Sequence, residues 1–459
     1  MLRILVILMM GFVMPVAADT RVPTSGAEIQ LSFVPVVKAA APAVVNIYAR
    51  RVIERTHSPF ADDPFFGQLF RDFGDRGPRV ENSLGSGVIL GSGGIVVSNY
   101  HVVGQATDIR VVLNDRREFS ARVLMGDEES DLAILQLEGA EDMPALPLRD
   151  SETVEVGELV LAIGNPFGVG QTVSSGIVSG LARSGLATGN VRGYFIQTDA
   201  PINPGNSGGA LVDIEGRLIG INTAILSRSG GSNGIGFAIP SALVKQFVAQ
   251  ADAGKTHFER PWAGLTGQPV TADMAEGLGL LRPGGIIISD IHPASPFVTH
   301  GFAPGDVILA VGGEEVNTPA EMIYRMSVAG LGASVQVAAR IGGKAQTFDM
   351  ILAAAPETPP RASLETSTKA AVPGMQVSNI NPGVLAEYDL PLSAAGVLVE
   401  RPGQVGLRAG LRQGDLLLSV NGTQITDTAS ANAALEGARH RLALEIQRGT
   451  RRMMLRFRL

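Results

Sequence analysis

Cysteine is absent from the 459-residue chain, which excludes disulfides, thiolate zinc sites and a cysteine nucleophile together. Any nucleophile is therefore an oxygen or an amine. A formal net charge of -7, with no dense block of Lys and Arg, leaves no electrostatic footprint for a phosphate backbone, so nucleic acid is not an expected partner. The apolar run from Ile4 to Val13 is shorter than the roughly 20 residues that span a bilayer. Arg3 precedes it, and Pro15 and the small stretch Val16-Ala17-Ala18 follow. Residues 1–18 thus read as a cleavable signal peptide, with an uncleaved anchor as the alternative, and the periplasm is the favoured compartment.

What the chain has in abundance is glycine, 56 residues of it, which favours many turns and hence many short strands. Its length suggests about three domains. From Ala41 to about Phe247, short β-branched runs such as Val44–Ile47, Ile95–Val97 and Ile109–Val112 are bounded by Gly, Asn or Asp. Such a region suits a barrel or sandwich better than a parallel α/β sheet. Ser241–Ala253 has helical spacing, with Ser241 as the expected N-cap and Gly254 as the stop. Further on, GFAPGDVILAVGGEEV (Gly301–Val316) is repeated as GLRQGDLLLSVNGTQI (Gly410–Ile425), which predicts two small homologous domains. Residues 354–374, rich in Pro, Ala, Ser and Thr, read as the linker between them. Within the first domain, a loop over 56–82 carries Phe65, Phe66, Phe70 and Phe73, which need burial either on their own domain or in a partner subunit.

The chemistry gathers around Asn203-Pro204-Gly205-Asn206-Ser207-Gly208-Gly209. A serine hydroxyl attacks a carbonyl when a turn presents it openly beside backbone N–H groups, and Gly205 and Ser207 are the natural donors. An ordinary Gly-rich hairpin has the same look. A hydroxyl also needs a base oriented by a carboxylate. His101 follows the strand-like Gly94–Ser98, although a satisfied core histidine would fit there too. Asp131 stands at the threshold of the apolar run Leu132–Leu135, where a partly buried acid needs a donor, and turn capping is its plainer role. The order His101, Asp131, Ser207 is that of the chymotrypsin-like arrangement, distinct from the orders in α/β hydrolases and subtilisins.

SNYHVV, SDLAILQL, GNSGGAL, the stretch from Gly164 to Leu186 and GIGFAIP (Gly234–Pro240) together resemble the HtrA/Deg family of serine proteases, over nearly the whole mature chain. The resemblance implies a mostly β fold. A chymotrypsin-like double β-barrel over 19–255 would precede two α+β PDZ domains, over 258–353 and 375–459. His101 would be the general base, Asp131 its orienter and Ser207 the nucleophile, with the N–H groups of Gly205 and Ser207 as oxyanion hole. Ile202, Ile225 and Ile235 would line an aliphatic specificity pocket, plain core being the other reading. Substrate would pair as a strand beside Asn222, Thr223, Ala224 and Ile225. Phe65 and Phe66 would reach into a neighbouring subunit, and Arg183 would report PDZ ligation, although one extra residue separates that arginine from its serine relative to the family pattern.

A PDZ domain adds an extended peptide to a sheet edge and captures its terminal carboxylate in backbone N–H groups. The loop expected to do so in the first copy is Arg260-Pro261-Trp262-Ala263-Gly264-Leu265, where Pro261 removes one donor and Trp262 either walls the groove or fills core. The second copy lacks a comparable loop near Met375 and is expected to act in assembly. Tyr100 departs from the small or amide residue expected before the histidine. The reading implied is an ATP-independent endoprotease of unfolded or damaged exported proteins that needs no cofactor or metal, built as a trimer or multiples of trimers and engaging C-terminal peptides at the first PDZ domain. Its competitor is a periplasmic chaperone or scaffold with a mostly latent protease site.

Overall fold

The computed structural model describes residues 32–53, 79–165, 170–181, 194–203, 205–225 and 234–458. The chain divides into two compact units, one comprising Met1–Leu181 with Ile196–Val244 and the other Ala182–Phe195 with Lys245–Leu459.

The first unit contains two closed six-stranded antiparallel barrels. The first barrel is built from β1 (Val44–Ile53), β2 (Arg79–Ile89), β3 (Ile95–Ser98), β4 (Asp108–Val112), β5 (Glu118–Asp127) and β6 (Leu132–Leu137). The second uses β7 (Leu159–Gly164), β8 (Thr172–Gly180), β9 (Ile196–Thr198), β10 (Ala210–Asp213), β11 (Leu218–Ile225) and β12 (Gly236–Pro240). Pairing of β1 with β4 closes the first, and pairing of β10 with β7 closes the second, so neither leaves an open sheet edge. The β4 sequence shows why a strand forms: Ile109 and Val111 point inward while Asp108 and Arg110 face solvent. In the second barrel Val160, Ala162, Val178, Ile196, Leu211, Ile219 and Ala238 fill the interior.

Helix α1 (Tyr100–Val103) lies in this unit, and α2 (Ser241–Asp252) begins in it, with residues Ser241–Val244. Ser241 lies inside the helix, and its hydroxyl donates to Arg149 O at 2.5 Å. The cap comes from a remote segment instead, because Ala242 N donates to Ser151 Oγ at 3.0 Å. Gly254 does end the segment, at φ +81°.

The segment joining the barrels is clamped electrostatically. Arg149 makes a bidentate pair with Glu158, at 2.6 and 2.9 Å, and reaches the buried Asp213 at 3.4 Å. Asp213 also accepts from Arg217 Nε and from the backbone N–H groups of Glu215 and Arg217. Hydrogen bonding to Arg149 holds the Glu158 carboxyl below the usual range, despite partial desolvation.

The second unit contains two α+β modules of like topology. In the first, the sheet order is β13-β14-β15-β17-β18, from β13 (Leu265–Pro269), β14 (Ile286–Ile291), β15 (Val307–Val311), β17 (Ser334–Ile341) and β18 (Lys344–Ile351), with β16 (Glu314–Glu315) pairing β15. Helix α3 (Pro319–Ala329) packs beside β13. In the second, β19 (Leu364–Glu365), β20 (Gln376–Asn379), β21 (Val397–Arg401), β22 (Leu416–Val420), β24 (Arg441–Arg448) and β25 (Arg451–Arg458) lie in the order β19-β20-β21-β22-β24-β25, with β23 (Thr423–Gln424) pairing β22 and α4 (Thr428–Gly437) beside β20.

The repeat has a physical cause. Gly301 and Gly410 both adopt φ +83°, a conformation open to glycine. Asp306 and Asp415 are both buried and tie the following strand in place. Asp306 accepts from Ala303 N and Gly342 N, each at 2.8 Å, while Asp415 accepts from Arg412 N and from Arg448 Nε and Nη2 at 2.7 and 2.8 Å. The stretch expected to be linker is not linker throughout, since β19 forms within it and joins the second sheet.

Replacing Arg149 with Ala is expected to destabilise the protein by about 3 kcal/mol, the lower end for breaking a largely desolvated ion pair, lowering the melting temperature of this unit by about 6–12 °C. Since the folded Glu158 carboxyl titrates low, the pair contributes fully above the ordinary glutamate pKa and loses its contribution as pH falls through the folded value. Thermal scans of the two proteins should therefore converge toward acid pH.

Candidate active site

The candidate site belongs to the first unit, and its three expected side chains, His101, Asp131 and Ser207, come from different local structures. His101 sits on the single turn of α1, directly after β3. Its Nδ1 lies 2.9 Å from both carboxylate oxygens of Asp131, and its backbone N–H donates to Asp131 Oδ1 at 3.0 Å. The imidazole side chain is 52% exposed and the carboxylate 16%. One face of the ring is thus open to a reacting partner while its Nδ1 side is fixed.

Asp131 is held from several directions. It adopts φ +52°, in the left-handed region, immediately before β6. Its carbonyl accepts from Tyr100 N at 3.2 Å and from Asn99 Nδ2 at 3.0 Å, and its Oδ2 accepts from the Thr223 hydroxyl at 2.5 Å. The sequence expectation of a partly buried acid in need of donors is thereby explained by four specific donors, two of them on its side chain besides the imidazole.

Thr223 has a second contact. The register of β11 against β12 shifts between Asn222 and Ala224, leaving Thr223 as the extra residue of a β-bulge. Its carbonyl, released from the ladder, accepts the Ser207 hydroxyl at 3.1 Å. No hydrogen bond joins Ser207 Oγ to His101 among the described residues; the hydroxyl is directed to the Thr223 carbonyl instead.

The serine turn is stitched across to the first barrel. Ser86 N donates to Ser207 O at 2.8 Å, and the Ser86 hydroxyl donates to Gly205 O at 2.7 Å while accepting from Asn165 N at 2.8 Å. Ser98 Oγ then donates to Ser86 O at 2.7 Å. Gly208 N donates to Asn222 O at 2.8 Å, and Asn206, buried, accepts from Thr172 Oγ1 at 2.8 Å. Gly205 and Gly208 take φ of +97° and +83°. At Gly208 the reason is steric as well: a Cβ would lie 2.1 Å from Ser86 O.

The remaining expected site residues fall in three groups. Ile202 is buried in the second barrel's core against Gly236, where a Cβ would meet the Ile202 side chain. Asn222 is fully buried, its amide donating to Ala210 O at 3.0 Å, and Ile235 is half-buried just ahead of β12. Ala224 and Ile225 pair with Phe237 and Gly236. Phe65, Phe66 and Arg183 lie outside the described residues, as does the expected signal peptide.

In the second unit, Arg260 lies over the Phe258 ring at 5.2 Å. Trp262 N donates to Ala353 O at 2.9 Å, its half-buried ring packing edge-on to His292 and over Gly264, which has φ +61°. Carbonyls of Ala263 and Gly264 accept from Ser295 Oγ and His292 N. Pro261 and Trp262 therefore offer no backbone N–H to a ligand in this geometry, and Leu265 opens β13.

Sequence reasoning missed Ser86, Ser98, Asn99 and Asn206. A signal for the first was present in Gly85-Ser86-Gly87: a Cβ at either glycine would approach the side chains of Val102, or of Ile47 and Val96, to 2.8 Å. Glycines inside a strand mark a place where something packs unusually close. Tyr100, unexpected in the sequence, is accommodated by Gly104 and Gly126, over which its ring lies.

Known proteins resemble this chain in sequence and in fold. The Trypsin-like peptidase domain profile matches residues 85–221, and PDZ domain profiles match residues 264–352 and 396–448. The chain is 37% identical to the probable periplasmic serine protease do/HhoA-like of Haemophilus influenzae, covering 96% of this chain and 95% of that protein. It is 36% identical to the periplasmic pH-dependent serine endoprotease DegQ of Escherichia coli, covering 92% and 90%. Among solved structures, the HtrA-type protease AlgW with tripeptide is 37% identical with a TM-score of 0.55, covering 72% of this chain and 99% of that one.

A Gly208→Ala substitution forces either the Ser86 strand or the serine turn to move, and it strains a left-handed residue. It is expected to cost about 2–4 kcal/mol and to slow labelling of Ser207 by a fluorophosphonate probe, both readable on one preparation by thermal unfolding and by mass spectrometry.

Proposed function

The chain belongs to the HtrA/Deg family of chymotrypsin-like serine endopeptidases, with two PDZ domains, and from that premise we propose that it degrades unfolded or damaged exported proteins in the periplasm without ATP. The observation that carries the reading is the fixed His101–Asp131 pair, with the Ser207 turn hydrogen-bonded to the opposite barrel beside it.

In this mechanism the Ser207 hydroxyl rotates away from Thr223 O and gives its proton to His101 Nε2 as Oγ bonds to the substrate carbonyl carbon. The carbonyl π pair moves onto oxygen, which the Gly205 and Ser207 N–H groups stabilise. Asp131 stabilises the imidazolium through Nδ1–H without taking its proton. His101 then protonates the leaving amine, the C–N bond breaks, and water repeats the sequence on the acyl-enzyme, releasing the acid and restoring Ser207. No cofactor enters these steps.

Ile225 and Ile235, backed by the buried Ile202, select an aliphatic side chain on the substrate, and extended segments pair beside Asn222–Ile225. The first PDZ module captures C-terminal peptides and raises the local concentration of the chain at the protease site. Export through a cleaved signal peptide, Phe65- and Phe66-mediated assembly into trimers or their multiples, and signalling through Arg183 complete the proposal. The Ser207–Thr223 contact favours a resting state that is latent, which makes chaperone-like holding of unfolded chains the second reading.

Reduced casein incubated with the mature chain should be cleaved while a folded control protein survives, and Ser207→Ala should lower the rate by at least about 10³-fold. Suppressed aggregation of casein without cleavage by either form, across temperature and added C-terminal peptides, would make the holding activity primary. Thr223→Val removes one donor to the Asp131 carboxylate, and for a charged hydrogen bond of about 1.5–3 kcal/mol we expect kcat to fall roughly 10- to 100-fold with little change in KM.

A further inference from the structure

The two PDZ modules differ at the one edge where a peptide would add. In the first, β13 is the terminal strand of its sheet, with α3 beside it. In the second, the equivalent strand β20 already has a neighbour on that edge: β19, from the segment between the modules, pairs with it antiparallel, Leu364 opposite Val377 and Glu365 opposite Gln376. This is the orientation in which an extended ligand adds to such a strand.

The segment also meets the groups a ligand would meet. At the start of β20, Gly374 N donates to Thr366 O at 3.1 Å and Met375 N donates to Thr366 Oγ1 at 2.9 Å. Thr366, buried, thus presents two oxygens to consecutive backbone N–H groups, as a terminal carboxylate would. Its own N–H donates to Met375 O at 2.8 Å, continuing the ladder. On the helix side, Ser367 N donates to Asn432 Oδ1 at 3.0 Å, the Ser367 hydroxyl to Glu436 Oε1 at 2.6 Å, and Thr428 Oγ1 to Ala362 O at 3.0 Å. Leu364 packs against the module's core. Arg361 anchors the segment upstream through Glu357 and Glu387, with Arg361 O accepting from Asn379 N at 2.8 Å.

We propose that residues 361–367 are a built-in ligand of the second PDZ module, filling the slot between β20 and α4 with Thr366 standing for a peptide's terminal carboxylate, so that this module is closed to external C-terminal peptides. The helix contacts and the strand pairing come from one continuous segment of the same chain, so the occupant is present at an effective concentration that an external peptide must exceed.

The test uses the full mature chain carrying Ser207→Ala, so that peptides are bound and not cut. The probe is a fluorescent decapeptide pool ending in a free carboxylate on Val, Leu or Phe, with the amidated pool as control. The parent should take up no more than one carboxylate-dependent peptide per chain, and Gly264→Val, which disturbs the first module's loop, should take up none. Adding Leu364→Asp and Thr366→Gly to that variant should restore binding at least tenfold above the amidated control. Two peptides per parent chain, or a folded opened variant that still binds none, would overturn the proposal.

Because the chain has no cysteine, Leu364→Cys with Val377→Cys gives a second reading should the opened variant fail to fold. Oxidation should leave uptake unchanged. A rise by one peptide per chain on reduction would show that the segment leaves and a ligand replaces it, against the closed slot. Zero uptake by the parent would count against peptide capture in the first module while agreeing with closure of the second.

Discussion

Much of the catalytic architecture rests on one backbone hydrogen bond, Ser86 N to Ser207 O at 2.8 Å. It joins a strand of the first barrel to the serine turn of the second, so Ser207 is tied to the barrel that carries His101 and Asp131. The strut is itself braced: the Ser86 hydroxyl engages Gly205 O and Asn165 N, and Ser98 secures the Ser86 carbonyl. Every backbone group at Ser86 is therefore committed, which leaves little freedom for the 205–208 turn without breaking buried hydrogen bonds. The glycines on both sides follow from that closeness.

The parts of this fold legible in the sequence were those whose cause is local. Alternating β-branched residues announced strands such as β4, and the GD pair at 305–306 and 414–415 announced the repeat because a left-handed glycine and a buried aspartate are needed at each copy. Ser207 could be singled out by its glycine-rich turn, His101 by the scarcity of histidine, and Asp131 by its place before an apolar run. What could not be read was set by partners distant along the chain. Ser151, about ninety residues before α2, caps that helix in place of Ser241. The hydrogen bond from the Thr223 hydroxyl to Asp131 is made by the bulged residue of β11, and such a bulge has no local signature. The Pro- and Thr-rich composition of 354–374 predicted a linker, and could not reveal that Leu364–Glu365 within it would find a sheet edge or that 368–374 would turn.

The two PDZ modules show how one scaffold carries different exposures. Their buried aspartates, left-handed glycines and sheet orders correspond, so the difference between them lies in a few residues outside the repeated sequence. An unpaired strand edge invites association with other chains. In the second module β19 covers that edge, whereas in the first β13 remains the last strand of its sheet.

Thr223 touches both ends of the reactive array: its carbonyl holds the Ser207 hydroxyl and its hydroxyl holds the Asp131 carboxylate. A displacement of that single bulged residue changes nucleophile and acid together. The bulge in β11 thus couples the geometry at Ser207 to that at Asp131, two residues that lie far apart along the chain.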